Sequence, residues 1–113
     1  MIKVILFFLL FIIPLNNIDA SEVKLQEIFK GLQSPWSLSF IDNENVILTE
    51  KSGNLLHINL IEKKIKKIKH NLDILEDGQG GLLDVLYKDQ NIYVSYSENR
   101  GNYNSSTSVA KGK

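Results

Sequence analysis

From Ser21 onward the chain is a succession of short apolar runs, each closed by a turn signal. No other feature constrains the fold as strongly, because runs of this length suit β-strands, whereas an amphipathic helix needs a longer stretch at helical spacing. Residues 22–29 (EVKLQEIF) alternate through Val23, Leu25 and, less regularly, Ile28, and predict a strand. After the loop GLQSP, residues 36–40 alternate cleanly, with Trp36, Leu38 and Phe40 on one face and Ser37 and Ser39 on the other. IDNEN reads as a turn, since Asp and Asn tolerate left-handed backbone and form Asx turns. Residues 46–50 (VILTE) and 55–60 (LLHINL) are strands joined by the tight turn KSGN. Residues 82–86 (LLDVL) and 92–97 (IYVSYS) form a second pair around YKDQN. The polar loop ENRGNYNSS follows, and TSVAK opens one more strand that the chain barely starts.

One segment is ambiguous. Ile61, Ile65 and Ile68 fall at helical spacing, while the lysines between them suit a solvent-exposed outer strand whose charges discourage edge pairing. The flanking strands favour the second reading.

The runs also repeat. Phe40 and Leu86, Asn45 and Asn91, Val46 and Ile92, Leu48 and Val94, and Thr49 and Ser95 are matched at an offset of about 46 residues. A period of this size carrying about four short strands is the signature of a β-propeller blade. The expectation is an all-β chain holding the first blade and about half of the second.

The first 20 residues differ in kind. A single early lysine precedes an apolar run from Val4 to Ile13, then Pro14 and a polar stretch ending at Ala20. The run is short for a membrane span and has the layout of a secretory signal, with Ile18 and Ala20 at the −3 and −1 positions and cleavage before Ser21. The alternative is an uncleaved anchor. An exported location, periplasmic or secreted, with no stable membrane anchor after cleavage, is therefore expected for residues 21–113. The chain has no cysteine, so neither disulfides nor a cysteine-borne lipid support it. Lys plus Arg equals Asp plus Glu at 13 each, and nucleic acid is not an expected partner. The lysine cluster of residues 62–70 reads as a solvated face.

Few residues could carry chemistry. No G-x-S-x-G elbow and no His/Cys/Asp cluster with metal-ligand spacing occurs, and His57 and His70 lack sequence partners. VAKGK is not a phosphate loop, because its upstream glycine and following Ser or Thr are missing. Glu50, Asp84 and Glu98 stand singly at strand ends, and a hydrolytic site would need two of them to face each other across a cleft. Gly78-Gln79-Gly80-Gly81 is different: glycines flanking a polar side chain permit positive φ and close backbone approach, and the glutamine amide both donates and accepts. In a propeller, loops entering the innermost strands open onto the central axis. Chemistry alone leaves a ligand loop and an incidental glycine-rich connection both open.

Two motifs narrow this. GLQSPWSLSF followed by ILTEKSGNL contributes Leu32, Pro35, Trp36, Leu38, Phe40, Thr49, Glu50, Gly53 and Leu55; GQGGLLDV and YVSYSE follow at residues 78–85 and 93–98, then STSVAKGK. Together they resemble, in order, the N-terminal portion of the PQQ-dependent soluble aldose sugar dehydrogenases, the glucose/sorbosone dehydrogenase family. The resemblance implies a six-bladed β-propeller that oxidises an aldose at C1 to the lactone. It implies pyrroloquinoline quinone (PQQ) as hydride acceptor, Ca2+ holding the quinone, and a sugar substrate and an external electron acceptor as partners. It gives Gln79 a hydrogen bond to substrate or cofactor on the central axis, with Gly78, Gly80 and Gly81 shaping the loop. The family's general-base histidine opens a later His-x-Gly-x-Arg motif that this chain does not contain, and neither His57 nor His70 occupies it. No catalytic residue and no metal ligand is therefore expected in this chain, which reads as an N-terminal fragment inactive on its own. The family's His-Pro-Asp-Phe stretch in the second blade is also replaced by the shorter YKDQN. Two other readings stand beside this one: a non-enzymatic exported β-propeller-type binding module or remnant, and a small β-sandwich with a carboxylate-based hydrolytic site.

Overall fold

In the computed structural model, which describes residues 21–113, the apolar runs become seven antiparallel strands, and no helix occurs among the described residues. The expected signal peptide, residues 1–20, lies outside the described residues. β1 (Pro35–Phe40), β2 (Asn45–Glu50), β3 (Leu55–Asn59) and β4 (Lys64–Ile68) form one sheet in sequential order. β5 (Leu82–Lys88), β6 (Asn91–Asn99) and β7 (Ser105–Gly112) form a second. Two successive up-and-down antiparallel sheets packed face to face are the first blades of a β-propeller.

Hairpin chemistry explains the strand order. Asp42 accepts hydrogen bonds from the backbone N–H of Glu44 and of Asn45, each at 2.8 Å, and closes the β1–β2 turn as an Asx turn. Asp89 and Gln90 both have positive φ, 50° and 61°, as a two-residue hairpin matching strand twist requires. Residues 64–68 form the expected outer strand: β4 pairs with β3 from Leu55↔Ile68 to Asn59↔Lys64, and its lysines face solvent.

The core lies between the sheets. Ile47 and Leu55 of the first sheet pack on Leu82, Val85, Val94 and Tyr96 of the second. β1 and β5, the inner strands of the two blades, run beside each other without a shared ladder. Side-chain bonds join the two sheets instead: Tyr87 N–H donates to Ser39 Oγ of β1 at 2.9 Å, and the Thr49 hydroxyl of β2 donates to the Leu83 carbonyl at 2.5 Å. Thr49 is fully buried, so this bond satisfies a hydroxyl that would otherwise be costly to enclose.

Three sequence expectations are corrected. Residues 22–29 form no strand, and Val23 and Leu25 are 76 % and 93 % exposed. Alternation supplies propensity, but a strand also needs a neighbour for its backbone. Here Phe29 and Leu32 instead pack onto Val46, Leu48, Leu56 and Ile58, on the face of the first sheet turned away from the second. The final strand is more than started, because β7 pairs with β6 from Asn99↔Ser105 to Ile92↔Gly112, giving the second blade three strands. The inner strands also repeat one residue out of step with the sequence matching. Phe40 lies opposite Val46 and Tyr87 opposite Ile92, so Phe40 is equivalent to Tyr87, not Leu86. The tighter β5–β6 turn removes one residue from the second hairpin, whereas Val46/Ile92 and Leu48/Val94 keep their match.

Candidate functional site

The loop of residues 77–81 connects the two blades at the entrance to β5. The Gly80 N–H donates to the Asp77 carbonyl at 2.7 Å, closing a turn around Gly78 and Gln79. Gly78 adopts φ +54°, a conformation that suits glycine, with open space around it. Gly80 and Gly81 are required for a different reason. A Cβ on Gly80 would lie 2.8 Å from Ser97 Oγ, and one on Gly81 would overlap the Lys51 carbonyl and lie 2.8 Å from Lys51 Cγ. Two glycines therefore allow the loop to lie against β6 on one side and the β2–β3 turn on the other.

Hydrogen bonds fix that position. Ser97 N–H donates to the Gly81 carbonyl at 2.8 Å, Gly81 N–H to Ser97 Oγ at 3.2 Å, and Leu82 N–H to the Lys51 carbonyl at 3.0 Å. The Lys51 ammonium donates to the Gly78 carbonyl. The β5 backbone then carries a bulge between Leu82 and Val85, which turns the strand as it leaves the loop. At the tip Gln79 is exposed, and its amide has no hydrogen-bond partner among the described residues. The loop backbone is tied on three sides while its one long polar side chain is left free. The backbone that carries the amide is therefore ordered, while the side chain itself keeps its rotamer freedom.

The neighbouring turn is equally ordered. Glu50, 4 % exposed, accepts from Gln33 N–H at 2.7 Å and from Asn54 Nδ2 at 2.7 Å. It thus anchors the loop entering β1 and the turn leaving β2. Asp84 accepts from the Ser37 hydroxyl, and Glu98 from Ser108 Oγ at 2.7 Å and Arg100 at 2.9 Å. The three carboxylates considered for hydrolysis are each held by partners of their own. His57 Nε2 bonds Asn45 Oδ1 at 2.9 Å, and His70 Nε2 bonds the Gly53 carbonyl at 2.7 Å. No group of three or more His, Cys, Asp or Glu side chains converges as a metal site among the described residues. The parts of the site that sequence reasoning missed are Lys51 and Ser97. Their roles depend on which loop faces them across the blade junction, and no local signal marks that.

The chain belongs to the glucose/sorbosone dehydrogenase family, whose profile matches residues 32–113. It is 29 % identical to the aldose sugar dehydrogenase YliI of Escherichia coli strain K12 over 115 aligned positions, spanning 91 % of this chain and 31 % of that protein. The crystal structure of the soluble aldose sugar dehydrogenase from Escherichia coli, in its apo form, superposes with a TM-score of 0.69 at 29 % identity, covering 78 % of this chain and 27 % of that one. The PQQ-bound form of the aldose sugar dehydrogenase from Streptomyces coelicolor superposes with a TM-score of 0.66 over 77 % of this chain and 26 % of that one; at 16 % identity this likeness concerns the fold. The chain thus spans less than a third of the length of these relatives.

Proposed function

We propose that these residues form the first two blades of an exported quinoprotein that oxidises an aldose at C1 to the lactone, with Gln79 as one wall of the site. The observation that carries this reading is the immobilised loop with a free amide, in a chain of the sugar dehydrogenase family. Gly78, with open space around it, leaves room for a planar ligand to come close to the backbone, and an exposed primary amide fits a quinone carbonyl or a sugar hydroxyl equally well. When bound, PQQ supplies the acceptor for the hydride leaving C1. Gln79 then binds and orients, donating from its NH2 or accepting at its carbonyl, and takes up no proton. Among the described residues no three or more acidic, imidazole or thiol side chains converge, and backbone carbonyls, the other common calcium ligands, are a separate donor set.

Sugar oxidation also requires a base for the hydroxyl proton, and such a base is worth roughly 10²–10⁴ in rate. Neither His57 nor His70 occupies the motif that the family resemblance assigns to that base, so the chain by itself is expected not to turn over sugar. Purified residues 21–113 supplied with PQQ, Ca2+, glucose and a dye acceptor should leave the dye oxidised; sustained dye reduction would refute this assignment. Export is tested by mass spectrometry of the protein recovered from its native compartment, where an N-terminus at Ser21 is expected and an intact Met1 would count against cleavage.

A further inference from the structure

We infer that Lys51, in the turn after β2, is a positioning residue that sets the direction of the Gln79 amide from the neighbouring blade. The inference rests on the reading of Gln79 as a ligand contact. Lys51 touches the loop on both sides of Gln79. On the N-terminal side its ammonium donates to the Gly78 carbonyl. On the C-terminal side its carbonyl accepts the Leu82 N–H at 3.0 Å, and its Cγ occupies the space that a Cβ on Gly81 would need.

Lys51 is itself well placed to act as a fixed point. Its own N–H donates to the Ser34 carbonyl at 3.0 Å, and the preceding residue is the buried Glu50, which also binds Gln33 N–H and Asn54. The path runs from the β1 entrance through Glu50 and Lys51 to the peptide that precedes Gln79. Gly78 at φ +54°, with nothing within 4 Å of its Cβ direction, is otherwise a joint with few restraints. A charge-assisted bond to its carbonyl holds the plane of the Gly78–Gln79 peptide, and hence the direction in which the side chain leaves the backbone. The aliphatic part of Lys51 packs against Gly81 while its charge reaches the carbonyl, so one residue supplies both the floor and the latch of the loop.

Lys51→Met keeps the main-chain bonds and most of the stem but removes the ammonium. In the 15N-labelled chain, amide exchange at Gly80 and Gly81 should rise about fivefold, the size of one net hydrogen bond, while Leu56 and Val94 stay unchanged. Lys51→Arg, which keeps a cation at the carbonyl, should restore slow exchange. Unchanged exchange at Gly80 and Gly81, or a rise spread evenly over both sheets, would overturn the inference. A second arm follows the backbone amide signals of Gly78 and Gly80, together with the Gln79 side-chain amide signal where that residue is kept, on addition of PQQ. Weakened binding in both Gln79→Ala and Lys51→Met supports the assignment, and weakening in Gln79→Ala alone refutes the role of Lys51 while keeping the site. If PQQ leaves the Gln79 signal of the parent chain unmoved, the site reading fails, and the exchange result alone decides whether Lys51 holds the loop.

Discussion

Leu38 and Val85 occupy equivalent places in the two blades. Leu38 lies opposite Leu48 and Val85 opposite Val94, on the face that each sheet turns away from the following blade. Yet Leu38 is 52 % exposed and Val85 only 5 %. The second sheet has the first packed against that face, whereas among the described residues the first has Phe29, Leu32 and Leu60 there, which pack on the middle strands and leave Trp36, Leu38 and Phe40 open. A propeller sheet does not enclose its own inner strand; the neighbouring sheet does. The same asymmetry applies to the loops. The entrance to β5 is held by Lys51 of the preceding blade, while the entrance to β1 is held by Glu50 of its own.

The strongest test of this comparison is a pair of truncations. Leu82→Ala empties a fully buried position between the sheets and should cost about 3 kcal/mol. Leu38→Ala, on the open face, should cost less than about 1 kcal/mol. Chemical denaturation of both variants measures the difference, and equal losses would mean that the inner strands are not stabilised by their neighbours. Next in size is the contrast within the loop. Gly81→Ala forces a side chain into the Lys51 carbonyl at φ +151° and should destabilise by about 2 kcal/mol or more, whereas Gly78→Ala, at φ +54° in open space, should cost about 1 kcal/mol. Melting temperatures in that reversed order would show that conformation, not close approach, selects the glycines.

The smallest effect concerns acid. The backbone N–H of Glu44, followed by the Asn45 side chain, holds the Asp42 carboxyl below its ordinary range. A carboxylate depressed in the folded state contributes stability above its unfolded pKa, and loses it as pH falls through the folded value. Because Asp42 is fully exposed, the effect belongs to the β1–β2 turn alone. Asp42→Asn should flatten the acid side of the stability profile below about pH 4, and an unchanged slope there would remove the turn from the account.

Much of this fold can be read in the residues. WSLSF, VILTE, LLHIN and IYVSYS carry strand alternation or β-branched composition, and the intervening Asp, Asn and Gly supply the turns. The lysine-rich β4 was resolved by its context even though its isoleucines fall at helical spacing. What misled was the segment of residues 22–29. It alternates, though less regularly than its neighbours, but pairing depends on an available sheet edge, which sequence does not encode locally. The one-residue slip between Phe40 and its true counterpart Tyr87 has a similar origin: register belongs to two strands and the turn between them.

The site divides along the same line. That the loop can take glycine conformations at positions 78, 80 and 81 and carries an amide at 79 is written in GQGG itself, because backbone reach and hydrogen-bonding capacity are properties of the residues. That Gly81 must clear Lys51, that Ser97 meets Gly80, and that the Gln79 amide is left free were decided only when the two blades packed. Local chemistry determines what a loop can do, and the opposing blade determines which way it points.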